Sequence, residues 1–388
     1  MSELAERIPV LILDGGLGTT LEDVFHKDIS HALWSAKPID EDPEVIIAAH
    51  LAFLRAGANI ILTSTYQCAY STFERAGYSR EDARRIMLKS VELAREAKRR
   101  FQEETAHERE HGGTSTPPPP RDVRIALSLG PFGATLYPTQ EFDGIYPPPF
   151  GPDQSNTSES TNAFDTSPEG RAQEMTAIDA LANFHYERLC IFADDQETWD
   201  SVDYIAFETV PLRREIYAIR KAVARFQEDV AGGRGWQMKP WWISTDYPDG
   251  HFPETKADGT HLTATEVAEA VLQDDAGATV WGFGVNCTGM DFLKGLLKEV
   301  RPVANRYLER HKRQPWLILY PNRGDVYDPE TQSWRKQGRE GSPWAKDLCA
   351  VVLENLESGA WAGVIAGGCC KTGPEEIAGL TKELHAWL

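Results

Sequence analysis

The sequence predicts an α/β protein built as a single (β/α)8 TIM-type barrel, and three observations carry that expectation. Eight short apolar runs recur along the chain, each closing in polar or glycine residues. Within each run the apolar character is continuous rather than alternating, as strands buried on both faces of a parallel sheet require. Helix-like segments lie between most of the runs, so strand and helix patterns alternate to the C-terminus. The length of 388 residues admits two or three ordinary domains, or one large barrel with insertions. The alternation favours the barrel.

The elements follow in order. The first run is 10–16 (VLILDGG). Segment 43–56 (PEVIIAAHLAFLRA) has apolar residues at helical spacing and stops at Gly57. The second run, 59–65 (NIILTST), precedes a long, charged, amphipathic stretch at 80–102. Runs three and four are 124–131 (RIALSLGP) and 204–210 (YIAFETV), with a helix expected over 173–193 between them and another over 212–230 after them. The remaining runs are 241–246 (WWISTD), 282–287 (GFGVNC), 317–322 (LILYPN) and 362–370 (AGVIAGGCC). Helices are expected after each, at 263–275, 290–311, 343–357 and 374–388. Trp241, Trp242, Trp281 and Trp361 sit near strand starts and read as core or bottom-layer packing. The competitor is a doubly wound open sheet. Its dinucleotide fingerprint, G-x-G-x-x-G with an acidic-ended strand ~20 residues later, is not what LDGGLGTTLE offers.

Two segments break the alternation. Residues 103–121 (EETAHEREHGGTSTPPPPR) are polar and end in prolines, so they are expected to form a mobile loop after the second long helix, with a solvated charge patch at 103–110. Residues 137–170 form an insertion after the third strand, at the rim where barrels bind ligands. Its 141–146 portion is placed to touch ligand, and 151–169 reads as surface insertion.

Lys plus Arg number 40 and Asp plus Glu 59, a formal charge of −19. No basic stripe is present, so nucleic acid is excluded as a partner. No window approaches the ~20 apolar residues of a membrane helix, and the N-terminus lacks a signal core. Six cysteines are too few for a disulfide scaffold. A reducing, cytoplasmic setting is the expectation, and there clustered cysteines read as metal ligands or redox groups.

Cys287 closes the sixth run, and Cys369 and Cys370 close the eighth. In a barrel all three sit at one rim, where three thiolates can converge on one ion. Zn²⁺ with three protein ligands keeps a fourth position open, as catalytic zinc does, and soft sulfur selects it over Mg²⁺ or Ca²⁺. Gly367 and Gly368 would let the backbone bend so that both neighbouring thiols reach the ion. Small apolar core residues, or a vicinal redox pair, are the competing readings. Cys68, Cys190 and Cys349 read as packed thiols, and His50 and His185 as core or surface residues.

The motifs LDGGLGTTLE (13–22), NIILTSTY (59–66), SLGPFGATL (128–136), AFETVP (206–211), GVNCT (284–288), YPNRGDVYD (320–328) and GGCCKTGPEEI (367–377) span nearly the whole chain. Together they resemble the homocysteine S-methyltransferases, the zinc-dependent group that includes betaine–homocysteine methyltransferase. The stretch after the third run looks most like members using a sulfonium donor, S-methylmethionine or S-adenosylmethionine. The chain departs from the family in having Thr288, Gly289 and Met290 where a proline-containing stretch is common, and in its two insertions.

The resemblance implies a barrel over 1–388 that binds homocysteine and a sulfonium methyl donor and makes methionine, with zinc on Cys287, Cys369 and Cys370. It implies that Asp14 and Glu208, at the ends of strands one and four, hold the homocysteine ammonium. Turn capping for Asp14, and an ion pair with Arg213 for Glu208, are the competing readings. Thr65 and Tyr66 are expected to line the amino-acid pocket, and Asn286 to orient a ligand or substrate carboxylate. Donor-side candidates are Phe132, Glu141, Phe142, Tyr146, Asn322 and Asp325. The aromatic ones could hold a sulfonium by cation–π attraction. The same acceptor with betaine or another methyl donor, or a catalytically inactive thiol- or zinc-based redox-sensing barrel, are the alternatives.

Overall fold

A computed structural model describes residues 8–29, 31, 33–111, 121–155, 160–273, 277–324, 326–328, 333–335 and 342–387. Its strands are β1 (Val10–Ile12), β2 (Ile60–Leu62), β3 (Arg124–Leu129), β4 (Tyr204–Phe207), β5 (Trp241–Asp246), β6 (Gly282–Gly289), β7 (Trp316–Asn322), β8 (Val326–Asp328), β9 (Ser333–Arg335) and β10 (Val364–Ala366). Apart from β8 and β9, which pair with each other as a small antiparallel ribbon, they form one parallel sheet in the order β1-β10-β7-β6-β5-β4-β3-β2. The two ends of that order meet. Leu13 bridges Ile60, Asn59 N–H donates to the Ile12 carbonyl at 2.7 Å, and Asp14 N–H donates to the Ile60 carbonyl at 3.0 Å. The expected eight-stranded barrel is therefore what forms. The β8–β9 ribbon, which falls within and just after the YPNRGDVYD motif, was not anticipated.

The barrel interior is filled by Leu13, Ile60, Ala126, Tyr204, Ala206, Trp242, Ile318, Tyr320 and Ile365. The opposite strand faces pack on the outer helices. Among these are α1 (Leu17–Asp23), α2 (Lys37–Glu41), α3 (Pro43–Ala56), α4 (Tyr70–Arg75), α5 (Arg80–His111), α6 (Pro168–Ala193), α7 (Gln196–Ser201), α8 (Arg213–Ala231), α9 (Ala264–Leu272), α10 (Met290–His311), α11 (Ser342–Glu357) and α12 (Pro374–Trp387). The local signals are physical. α8 buries Ile216, Ile219, Val223 and Phe226, a helical stripe facing the sheet. α9 opens with a full capping box between Thr263 and Glu266. Among the described residues no helix is long and apolar enough to cross a membrane.

Both expected insertions are corrected in extent. Residues 103–111 continue α5 rather than starting a loop. Arg99 pairs with Glu103 at 2.5 Å, and Glu104 reaches Arg55 of α3 at 2.6 Å, so charge pairing carries the helix past its apolar stripe. Residues 112–120 lie outside the described residues. At the other insertion, Ser167 caps α6 and Pro168 opens it, so the helix starts before the expected residue 173.

The segment 151–169 is not a plain surface insertion. Asn162 is 5% exposed. Its amide donates to the carbonyls of Asp143 at 2.7 Å and Pro253 at 2.9 Å, and accepts from Thr255 N–H at 3.0 Å and the Thr255 hydroxyl at 3.1 Å. Arg214 donates to the carbonyls of Asn162 at 2.7 Å and Phe150 at 3.2 Å. Asn162→Ala leaves these buried partners unsatisfied and is expected to cost about 2–4 kcal/mol, measured as a lower urea midpoint. An unchanged midpoint would show that the insertion is not anchored there.

Candidate active site

The ends of β6 and β10 bring three thiols together. The Sγ atoms of Cys287, Cys369 and Cys370 all lie within 4.8 Å of one another. Cys287 Sγ is 2.6 Å from Cys369 Sγ, and Cys369 Sγ is 3.9 Å from Cys370 Sγ. None is in a disulfide. Three convergent sulfur donors are the chemistry that suits a soft divalent ion such as zinc. Hydrogen bonds from Cys287 and Cys369 pull the Cys370 thiol well below its ordinary range. The same hydrogen bonds, seen from the donating side, push Cys287 well above it.

Backbone geometry holds the cluster in place. Gly367 and Gly368 were expected to supply flexibility, but neither has a positive φ. They are needed for close approach. A Cβ on Gly367 would sit 2.6 Å from the Asp14 carbonyl oxygen, and one on Gly368 would collide with the Thr372 side chain. The LDGG and GGCC turns are in fact interlocked: Gly16 N–H donates to the Thr372 carbonyl at 2.9 Å, and Gly368 N–H to the Asp14 carbonyl at 3.0 Å. Lys371, next to the thiols, pairs with Glu22 and Asp23 of α1 at 2.9 and 2.8 Å. Cys287 (φ 48°) and Thr209 (φ 54°) adopt left-handed backbone, uncommon for any side chain and strained for β-branched threonine. Asn286 accounts for both. Its amide accepts from Thr209 N–H at 2.9 Å and donates to the Thr209 hydroxyl at 2.7 Å and to Cys287 Sγ at 3.4 Å.

Two carboxylates flank the thiols. Asp14 is fully buried; one oxygen accepts from Leu62 N–H at 2.8 Å, and the other, Oδ1, has no hydrogen-bond partner. Burial holds its carboxyl well above the usual range, and neighbouring Glu208 adds to this. Glu208 is 4% exposed and is pushed up to about 8 by burial. The Ser128 hydroxyl donates to it, so its partner is Ser128 and not Arg213. Arg188 acts on Glu208 from a distance, but among the described residues no cation forms an ion pair with either carboxylate, whose charged forms burial disfavours. Such groups are costly to bury unless a cation arrives.

The other expected site residues fall into two groups. Tyr66 and Glu141 reach the mouth. Glu141 is 9% exposed, leaves Oε2 without a partner, is pushed up to about 7 by burial, and acts electrostatically on Tyr66, Asp246 and Cys370. The ring of Tyr66 lies over Gly130, where a Cβ would come within 2.8 Å of it. Thr65 is spent on structure: its hydroxyl donates to the Ser128 carbonyl at 2.7 Å. Asn322 accepts from Cys370 N–H at 3.2 Å and so helps set the thiol turn. Asp325 lies outside the described residues.

Two of the three donor-side aromatics, Phe132 and Tyr146, are packed against neighbouring side chains. Phe132 stacks on Phe150 at 3.9 Å and meets Tyr146 and Phe184 edge-on. The Tyr146 ring is fully buried and its hydroxyl donates to Glu215 at 2.7 Å. Phe142 is 39% exposed. Phe132 and Tyr146 belong to a cluster with Ile178, Leu181, Leu212 and Ala218 that packs this region against α6 and α8. Arg188, Glu215 and Asp246, at or beneath the mouth, went unnoticed in the sequence, and His185, read as core or surface, is core. Arg188 of α6, 1% exposed, donates to the carbonyls of Gly130 at 2.6 Å and Tyr66 at 2.9 Å. His185 and Glu215 pair at 2.9 Å in full burial. Asp246 closes β5 just as Asp14 and Glu208 close their runs, and the same strand-end logic could have found it.

A closed parallel barrel with three convergent thiols and buried carboxylates at its C-terminal mouth has the arrangement of an enzyme acting on a small molecule. Comparison with known proteins narrows this class. A family model described as homocysteine S-methyltransferase matches residues 11–384. Homocysteine S-methyltransferase 2 of Zea mays is 31% identical over 97% of this chain and 90% of its own length. The selenocysteine Se-methyltransferase of Brassica oleracea var. italica is 28% identical over 96% of this chain and 88% of its own. The metallated form of the Escherichia coli homocysteine methyltransferase MmuM shares the fold, with a TM-score of 0.62, 24% identity and 97% coverage of both chains. The chain belongs to the homocysteine S-methyltransferase family and is a methyltransferase.

Proposed function

We propose that this methyltransferase moves a methyl group from a sulfonium donor to the thiol of homocysteine, giving methionine, with zinc held by Cys287, Cys369 and Cys370. The observation that carries the reading is the meeting of three thiols with two buried carboxylates, Asp14 and Glu208, at one barrel mouth. The donor set suits zinc, which when bound would supply a Lewis-acid position where a substrate thiol ionises at neutral pH.

The chain's own residues do the rest. Asp14 and Glu208 receive the ammonium of homocysteine, whose positive charge favours the ionised form of both carboxylates. The Ser128 hydroxyl steadies Glu208, and Asn286 with Thr209 fixes Cys287. The acceptor sulfur then forms a carbon–sulfur bond to the methyl group. The donor's carbon–sulfur bond breaks, its electron pair stays on the donor sulfur, and a neutral thioether leaves. Opposite charges vanish in this step, which a dry, low-dielectric mouth favours.

The test is a parallel assay of zinc-loaded, reduced protein with homocysteine and S-methylmethionine, S-adenosylmethionine or betaine. Methionine is expected from at least one sulfonium and not from betaine. Product from betaine alone would overturn the donor class. No product from any of them would overturn the reaction.

A further inference from the structure

Asp246 has no assigned task. It ends β5, in register with Asn286 of β6, and shares the inward face of Trp242, which fills the barrel. It is 0% exposed, and among the described residues neither carboxylate oxygen has a hydrogen-bond partner. Beyond its own backbone N–H, the side chains that act on it are Glu141, Cys369 and Glu215, none of them cationic. A wholly buried carboxylate with no side-chain partner is rare in a native protein and calls for an absent one. The mouth thus holds more carboxylate than one substrate ammonium needs: Asp14 and Glu208 on one side, Asp246 and Glu141 left over.

We propose that Asp246, with Glu141 beside it, seats the non-reacting cation of the methyl donor, the α-ammonium of an amino-acid sulfonium. The inference rests on the function proposed above and names its donor class. A sulfonium loses its charge as the methyl group leaves, so a carboxylate placed against it would stabilise the ground state more than the transition state. An α-ammonium keeps its charge throughout and is bound equally in both states. S-methylmethionine and S-adenosylmethionine each carry one. Betaine carries no cation besides the reacting one. Asp246 would therefore be a specificity-determining residue that reads the amino-acid end of the donor.

The test compares wild type and Asp246→Asn, both zinc-loaded, with homocysteine and either S-methylmethionine or 3-dimethylsulfoniopropionate, a sulfonium without an amino group. The KM for S-methylmethionine is expected to rise about 10- to 100-fold, with kcat far less affected. The preference for S-methylmethionine over 3-dimethylsulfoniopropionate should fall by about tenfold or more. An unchanged KM, equal losses on both donors, or a matching rise in the homocysteine KM would each overturn the assignment. The amide is isosteric, and a thermal melt checks folding; should it fail, Asp246→Ser takes the same measurements. If wild type transfers methyl from no sulfonium, the function falls but Asp246 is still decided by calorimetric titration with S-methylmethionine. Binding by wild type that the variant loses supports it, and equal or absent binding overturns it.

Discussion

Cys370→Ser is expected to abolish metal retention and methyl transfer together. Cys370 is the thiol that its neighbours drive furthest toward thiolate. A serine hydroxyl at that position is hard, weakly acidic and short of a soft ion's preferred donor. Loss of an outer partner of a metal ligand already costs about 10- to 100-fold in affinity, so loss of a ligand should exceed this. Zinc content after dialysis, read by plasma mass spectrometry, should drop close to zero, and kcat/KM for homocysteine should fall by at least about 1,000-fold. Cys190→Ser is the control. Cys190 lies on α6, away from the thiol cluster, and its loss should leave zinc content unaltered. Full zinc occupancy in Cys370→Ser would sink the three-thiolate centre.

Glu208→Gln is expected to damage homocysteine binding while sparing the metal. An ammonium paired with a desolvated carboxylate loses about 2–4 kcal/mol when that carboxylate becomes an amide, or roughly 30- to 1,000-fold in affinity. Steady-state kinetics at saturating donor should show that rise in the homocysteine KM, with zinc content equal to wild type. Stability should hold or improve, because a buried acid held up to about 8 gives way to a neutral group of the same shape. A homocysteine KM equal to wild type would mean that Glu208 is structural and that Asp14 alone holds the amino group.

Much of this site is legible from local pattern. Cys287, Cys369, Cys370, Asp14 and Glu208 each follow an apolar run, and a parallel barrel sends every such position to the same rim. Asp246 obeys the same rule, yet nothing in WWISTD tells that both its oxygens would be left without partners. Two aromatic residues after the third strand misled in the opposite sense. Phe132 and Tyr146 carry the right chemistry for a cation, but they face Phe150, Phe184 and Glu215. Residues 103–111 read as loop because their apolar period had ended, while pairing with α3 kept them helical. The glycines beside the thiols were recognisable as necessary for the wrong reason: they make room for the neighbouring turn and do not bend the chain.

The sequence by itself determined the barrel, the six-cysteine division into three strand-end thiols and three bystanders, and the pair of carboxylates beside them. These follow from periodicity and strand polarity, which act over a few residues. Only the tertiary structure decided which polar groups are satisfied. Asn286, Thr65 and Asn322 are bound to neighbouring strands and turns, whereas Asp14, Glu141 and Asp246 keep buried oxygens with no protein partner. Hydrogen-bond satisfaction depends on groups dozens to hundreds of residues apart in the chain, and those meet only when the barrel closes.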